Sequence, residues 1–143
     1  MENLLEKCRK YYKMNNPIIY IFLNKSLHMS SGKCSAQVAH SVALSLCSEN
    51  KQYLDLWKKS IHKTIIVLEA RDDNHLINIE SYLKERDFRV YKQIDEGVNE
   101  IDAHSFTALA TSILEKDDEN VVKAFSTFNL YRDIIKINME FEK

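Results

Sequence analysis

The chain has 143 residues, 45% hydrophobic and 29% charged, with a net charge of −1. That suits one soluble globular domain with a real core, and excludes a disordered chain and a uniformly basic nucleic-acid binder. The longest apolar run, residues 17–23, is too short to span a bilayer, the charged N-terminus lacks the apolar stretch of a signal peptide, and Cys8, Cys34 and Cys47 contain no C-x-x-C pair, so we expect reduced thiols, no zinc site and a cytoplasmic location off the membrane.

In chain order, residues 1–15 carry Leu4, Leu5, Cys8, Tyr11 and Tyr12 at helical spacing, with basic residues between them, and Pro17 closes the segment. This predicts an N-terminal helical extension over residues 1–16. Ile18–Leu23 is a continuous β-branched, aromatic and aliphatic run, the pattern of a buried strand. Residues 24–32 read as a loop. Residues 33–47 carry Ala36, Val38, Ala39, Val42, Ala43, Leu44 and Leu46, which predicts a helix apolar on most sides. Residues 52–60, with Trp57, read as a shorter helix, and the β-branched segment 64–68 as a strand. Residues 74–85 hold Leu76, Ile77, Ile79 and Leu83 at helical spacing behind Asp72 and Asp73, either of which can cap a helix. Residues 89–94 alternate like a strand, and 106–113 are small and β-prone. Residues 118–125 form a helix opened by acids that suit its dipole. Residues 129–131 read as a last strand. The order implies a single α/β domain over residues 17–131, with a short mixed sheet of four to five strands and helices on both faces. Residues 132–143 are a C-terminal extension.

The small net charge hides an asymmetry. Residues 1–63 hold ten Lys/Arg against four Asp/Glu, while residues 64–143 hold ten against seventeen. A basic half can face a polyanion; equally, the charges can decorate solvated faces.

Residues 29–41 read Met-Ser-Ser-Gly-Lys-Cys-Ser-Ala-Gln-Val-Ala-His-Ser. On a helix, Lys33, Gln37, His40 and Ser41 share one face: a cation, an amide, an imidazole and a hydroxyl. A helix start after a strand attracts anions through its free N–H groups and dipole, and Lys33 there strengthens the pull. The plain alternative is a solvated polar face with His40 packed in the core. Asp95 follows a strand and precedes Gly97, which places a carboxylate at the sheet edge, where α/β folds build their sites. Asp95 also fits an ordinary turn or cap. The five histidines show no ligand spacing, and no G-x-S-x-G, P-loop or G-x-G-x-x-G motif occurs. No metal or cofactor is expected.

The 29–41 segment resembles the M-G-K-G-K-x-A-A-Q-x-x-H-A signature of the class 2 peptidyl-tRNA hydrolases, through Met29, Gly32, Lys33, Ala36, Gln37 and His40. The family's second block, D-A-G-R-T-x-I followed by T-x-L-G-I-G-P, is matched by Asp95, Gly97 and Ile101 and then by Thr107 and Leu109. Residues 128–131 resemble its terminal L-K-L-Y, and Trp57 and the strand at 63–70 fall at the expected places. The chain's two glycines, Gly32 and Gly97, both land on family glycines. The likeness covers residues 17–131. It departs from the family at Ser26, Ser31 and Val98, in place of the family's Asp, Lys and Arg, and at residues 110–113, Ala-Thr-Ser-Ile in place of G-I-G-P.

The resemblance implies hydrolysis of the ester between peptide and tRNA, with peptidyl-tRNA as the partner. Family members are often dimers, which implies a homodimer. It nominates Lys33, Gln37, Asp95 and Thr107 as the catalytic set. Asp95 would orient Lys33 or accept the water's proton, and Lys33 would steady the negative charge that develops on the ester. Gln37 and Thr107 would position water or ester. His40, Ser41, Lys58, Lys59, Lys63, Asn99 and Ser105 are the expected substrate contacts. Two other readings stay open: a catalytically silent RNA-binding module, and a protein-interaction domain that uses its terminal segments.

Overall fold

The computed structural model describes residues 15–96, 101–102 and 104–132. The expected N-terminal helix, Gly97, Val98, Asn99 and the chain beyond Arg132 lie outside the described residues. The elements are β1 (Pro17–Asn24), a 3₁₀ turn (Lys25–Leu27), α1 (Ser31–Ser48), α2 (Lys51–Lys59), β2 (Thr64–Ala70), α3 (Asp73–Glu85), β3 (Val90–Asp95), β4 (Ser105–Thr111), β5 (Leu114–Glu115) and α4 (Glu119–Phe125).

The sheet runs β2-β1-β4-β3, and β5 pairs with the start of β1. β1 and β2 are parallel, while β4 is antiparallel to both β1 and β3. Three strands therefore end, and β4 begins, at one edge of the sheet. The central strand β1 is buried along nearly its whole length, which is why it reads as an unbroken apolar run. Its Ile19, Ile21 and Leu23 pack with Trp57, Ala108 and Ala110 under α1 and α2. Phe22 packs with Leu76, Leu83, Val121 and Phe125 under α3 and α4. That second face is filled by rings: Tyr20 stacks on Phe125 at 4.2 Å between centroids, and Phe128 meets Phe22 edge-on at 4.8 Å. The first face has alanines on β4 instead, which leave room for α1 to lie close to the sheet.

Each helix starts at a side-chain cap. Ser30 accepts from Lys33 N, Asn50 from Tyr53 N, Asp72 from His75 N and Asp118 from Val121 N. Each such cap stabilises its helix by roughly 1 kcal/mol. The Ser30 cap begins α1 inside the expected loop, and Gly32 lies in its first turn. A Cβ on Gly32 would meet no atom within 4 Å, so packing among the described residues does not demand a glycine there.

The buried residues of α1 are polar. Gln37, Ser41 and Ser45 face the sheet at four-residue spacing, while Ala39 and Ala43 face solvent. Both serines are satisfied: Ser41 Oγ donates within the helix to Gln37 O at 2.8 Å, and Ser45 Oγ donates across to Thr111 O on β4 at 2.7 Å. A count of apolar residues conceals this stripe. The expected last strand is a single bridge between Leu68 and Leu130 on the outer edge of β2.

β4 carries the irregularity that matters most. Gln93 pairs with Ala108 but Ile94 pairs with Phe106, so Thr107 is an extra residue on β4. A β-bulge of this kind re-aims side chains. Regular alternation would place Phe106 with Ala108 and turn Thr107 to the opposite face. Instead Phe106 joins the α3/α4 core, and Thr107 points to α1 along with Ala108.

Candidate active site

The strand ends and the start of α1 meet at one edge of the sheet. Lys33 lies in the first turn of α1 and Gln37 one turn on, Asp95 is the last residue of β3, and Thr107 is the bulge of β4. Their side chains form a continuous chain. Lys33 Nζ donates to Asp95 Oδ1 at 2.9 Å, and Gln37 Nε2 donates to the same oxygen at 3.0 Å. Thr107 Oγ1 donates to Gln37 Oε1 at 2.6 Å and stands 3.1 Å from the Gln93 carbonyl.

The chain sits almost out of water. The side chains of Lys33 and Asp95 are 9% and 10% exposed, and Gln37 and Thr107 are fully buried. A buried carboxylate is tolerated when paired and hydrogen-bonded, and Asp95 receives both. A glutamine amide can be turned either way round. Here the Asp95 carboxylate can only accept, so it takes the nitrogen end, and the oxygen end is left to accept from the Thr107 hydroxyl, supplied by the bulge. The local arrangement is therefore a fixed ammonium–carboxylate pair, backed by an amide that the carboxylate orients and a hydroxyl anchors.

The expected substrate contacts lie in several places. His40 is not packed in the core; it is exposed on α1. Ser41 does not face outward with it: it is completely buried beneath α1, its hydroxyl bonded to Gln37 O. Ser105 lies at the same sheet edge, paired with Asp95, and its hydroxyl donates to Asp102 O at 2.6 Å. Lys58 and Lys59 are exposed at the end of α2. Lys63 is exposed just before β2, with Nζ bonded to Ser60 O at 2.7 Å. Since Thr64 pairs with Ile18 near the start of β1, Lys63 belongs to the edge opposite Asp95.

Sequence reading missed Asn24, a buried hub at the end of β1. It bonds to Asp73, to the Phe106 carbonyl and to Ser26. The one available signal was a polar residue closing an otherwise apolar strand. An apolar groove of about 710 Å³ runs between α1 and β2, lined by Val38, Val42, Leu46 and Tyr131 among others. It lies on the far side of α1 from Asp95 and holds no charged side chain. Among the described residues no three His, Cys, Asp or Glu side chains gather as a metal-ligand group, and no helix is long and apolar enough to cross a membrane.

A small mixed sheet with a buried Lys–Asp–Gln–Thr chain at its strand ends defines a compact α/β domain with an ionic site at one sheet edge. The family model for the peptidyl-tRNA hydrolase PTH2 matches residues 18–131, and the chain belongs to that family. A solved structure of a protein of unknown function from Agrobacterium tumefaciens strain C58 is similar in fold, with a TM-score of 0.53 and 14% identity over 81% of this chain and 98% of that one. Comparison with curated proteins gives no significant match.

Proposed function

We propose that this chain hydrolyses the ester that joins a peptide to the terminal ribose of tRNA, at the Lys33–Asp95–Gln37–Thr107 chain. Family membership supports the reaction class. The observation that carries the assignment to these residues is the buried Lys33–Asp95 contact at 2.9 Å.

Ester hydrolysis needs a proton acceptor for water and a positive group where the carbonyl oxygen becomes an anion. In this reading water adds to the ester carbonyl and gives its proton to Asp95. Lys33 donates one ammonium N–H to Asp95 and turns another to the developing oxyanion. The carbon–oxygen bond to the ribose then breaks, and the ribose oxygen takes up the proton. Gln37 fixes the Asp95 carboxylate, and Thr107 fixes Gln37. The low exposure of the pair strengthens each of these interactions relative to water.

The alternative is a silent RNA-binding module of the same fold. It is favoured by Ser31 and Val98 and by Ala110-Thr-Ser-Ile113, which replace family lysine, arginine and the G-I-G-P run. Release of peptide from purified peptidyl-tRNA separates the two. Turnover that is lost in Lys33→Ala supports hydrolysis at this site; tRNA binding by the parent protein without turnover sinks it.

A further inference from the structure

We infer that Asn24 is a positioning residue for this site, acting through the backbone of the β4 bulge; the inference rests on the hydrolytic reading above. Asn24 is 1% exposed and all of its hydrogen-bonding capacity is used. Its Nδ2 donates to Asp73 Oδ1 at 2.6 Å and to Phe106 O at 2.8 Å. Its Oδ1 accepts from Ser26 N at 3.0 Å and Ser26 Oγ at 2.7 Å. One side chain thus ties together the end of β1, the turn that leads to α1, the first residue of α3 and the residue before Thr107.

The Phe106 link is the one that reaches the site. At a bulge the strand ladder is locally broken, so the backbone there needs another anchor. Asn24 supplies it at Phe106, and the next residue aims its hydroxyl at Gln37 Oε1. If Phe106 drifts, Thr107 drifts, the Gln37 amide loses the anchor of its oxygen end, and its bond to Asp95 loosens. The Asp73 link only holds the start of α3, on the other face of the sheet. Asn24 touches neither Lys33 nor Asp95, so its effect on the reaction is indirect.

The two links can be separated. Asn24→Asp removes both donors and sets two carboxylates against each other. Adding Asp73→Asn restores a donor between positions 24 and 73, but the Phe106 carbonyl still lacks one. Thermal melting, kcat and KM on peptidyl-tRNA, and the NMR resonances of the Gln37 side-chain amide are compared in the parent and both variants. The expected result is that the double variant regains most of the melting temperature, while kcat stays about 10- to 100-fold down with KM unchanged. The Gln37 amide resonances stay shifted in that variant. Recovery of kcat together with melting temperature, or Gln37 resonances like those of the parent, would overturn the inference. Asp73→Ala is the converse test, and it covers the case in which neither variant carrying the Asn24→Asp change folds. It should leave kcat and the Gln37 resonances at parent values, and a loss of either moves the role to α3 and overturns the proposal. A parent without turnover sinks the hydrolytic reading alone, since the Gln37 resonances still decide whether Asn24 controls that side chain.

Discussion

The two edges of the sheet handle charge in opposite ways. At the edge where β1, β2 and β3 end, Lys33 and Asp95 are nearly dry and are fixed by partners from α1, β3 and β4. At the edge where β1 and β2 begin, Lys58, Lys59 and Lys63 stand in solvent around Ile61, which is 93% exposed. A buried charge interacts strongly over a few ångströms and is costly to leave alone. An exposed charge interacts weakly with any one partner but adds to a field felt at a distance, which salt screens. The first arrangement suits chemistry on a bond, and the second suits attraction of a polyanion.

The largest effects should therefore come from breaking the dry pair. Asp95→Asn keeps size and shape but removes the charge. On the hydrolytic reading kcat falls by roughly 10²–10⁴, the range for a lost general base. Lys33→Ala costs on the order of 10² if the ammonium acts as a single oxyanion donor. The losses should not add in the double variant, because the residues act as a unit. Steady-state hydrolysis of peptidyl-tRNA measures all three, and Asp95→Asn turning over as fast as the parent would move the chemistry off this residue. Each single change also strands a buried partner, so each variant should melt lower, by about 3–5 kcal/mol where a charge is left unpaired.

A smaller effect belongs to the hydroxyl behind the pair. Thr107→Val is close in shape but leaves Gln37 Oε1 buried without its donor at 2.6 Å. That costs about 1–3 kcal/mol in stability. We expect kcat to fall by about tenfold with KM little changed, because the amide is no longer anchored at its oxygen end. Thr107→Ser, which keeps the hydroxyl, should restore most of the rate. Equal losses in Val and Ser would tie the effect to packing of the missing methyl group rather than to the hydrogen bond.

Much of this arrangement was legible in the residues, and the rest was hidden for specific reasons. β1 announces itself because a strand covered on both faces must be apolar throughout. α1 was recognisable from Lys33 and Gln37 within a motif, and its start was displaced only by the Ser30 cap. The buried stripe of Gln37, Ser41 and Ser45 was not legible, because periodicity counts assign serine to the surface. Ser41, read on one helix face with Lys33, Gln37 and His40, was expected to contact a substrate, whereas it bonds beneath the helix. The bulge at Thr107 leaves no mark in composition: one extra residue shows only once two strands are paired. Asn24 was passed over as the start of a loop for the same reason, since its partners Asp73 and Phe106 are distant in sequence and meet only through the sheet. Lys63 looked close to the motif along the chain, but the parallel pairing of β1 with β2 carries it to the other edge.

The exposed lysines give a third and weaker test. Replacing Lys58 and Lys59 by Gln should lower tRNA affinity and flatten its dependence on salt. The slope of log affinity against log salt should shrink by up to about 0.7–0.9 for each phosphate that is no longer neutralised. kcat at saturating substrate should not change, since neither side chain reaches the Asp95 edge. A salt slope equal to that of the parent would leave these lysines as ordinary solvated charge.

The smallest expected effect belongs to the Asp95 edge and is read through pH. His75 lies in the first turn of α3, at the same end of the sheet as Asn24 and Asp95. Its pKa is held below the usual imidazole value, first by burial and then by the Arg71 guanidinium, against smaller opposing pulls from Asp72 and Glu69. Its Nδ1 also accepts from Arg71 N at 3.0 Å, which requires the unprotonated ring nitrogen. The sign follows from linkage: the unfolded chain takes up this proton at a higher pH than the folded one, so the stabilising contribution is present above the ordinary value of about 6.5 and is lost as pH falls below it. His75→Gln keeps an acceptor and removes the titration. Thermal melts at about pH 7.5 and 5.5 should therefore show a slightly steeper acid loss in the parent than in the variant, and the difference should be modest because the ring is only partly covered. An acid loss in His75→Gln as steep as the parent's would remove this contact from the pH dependence.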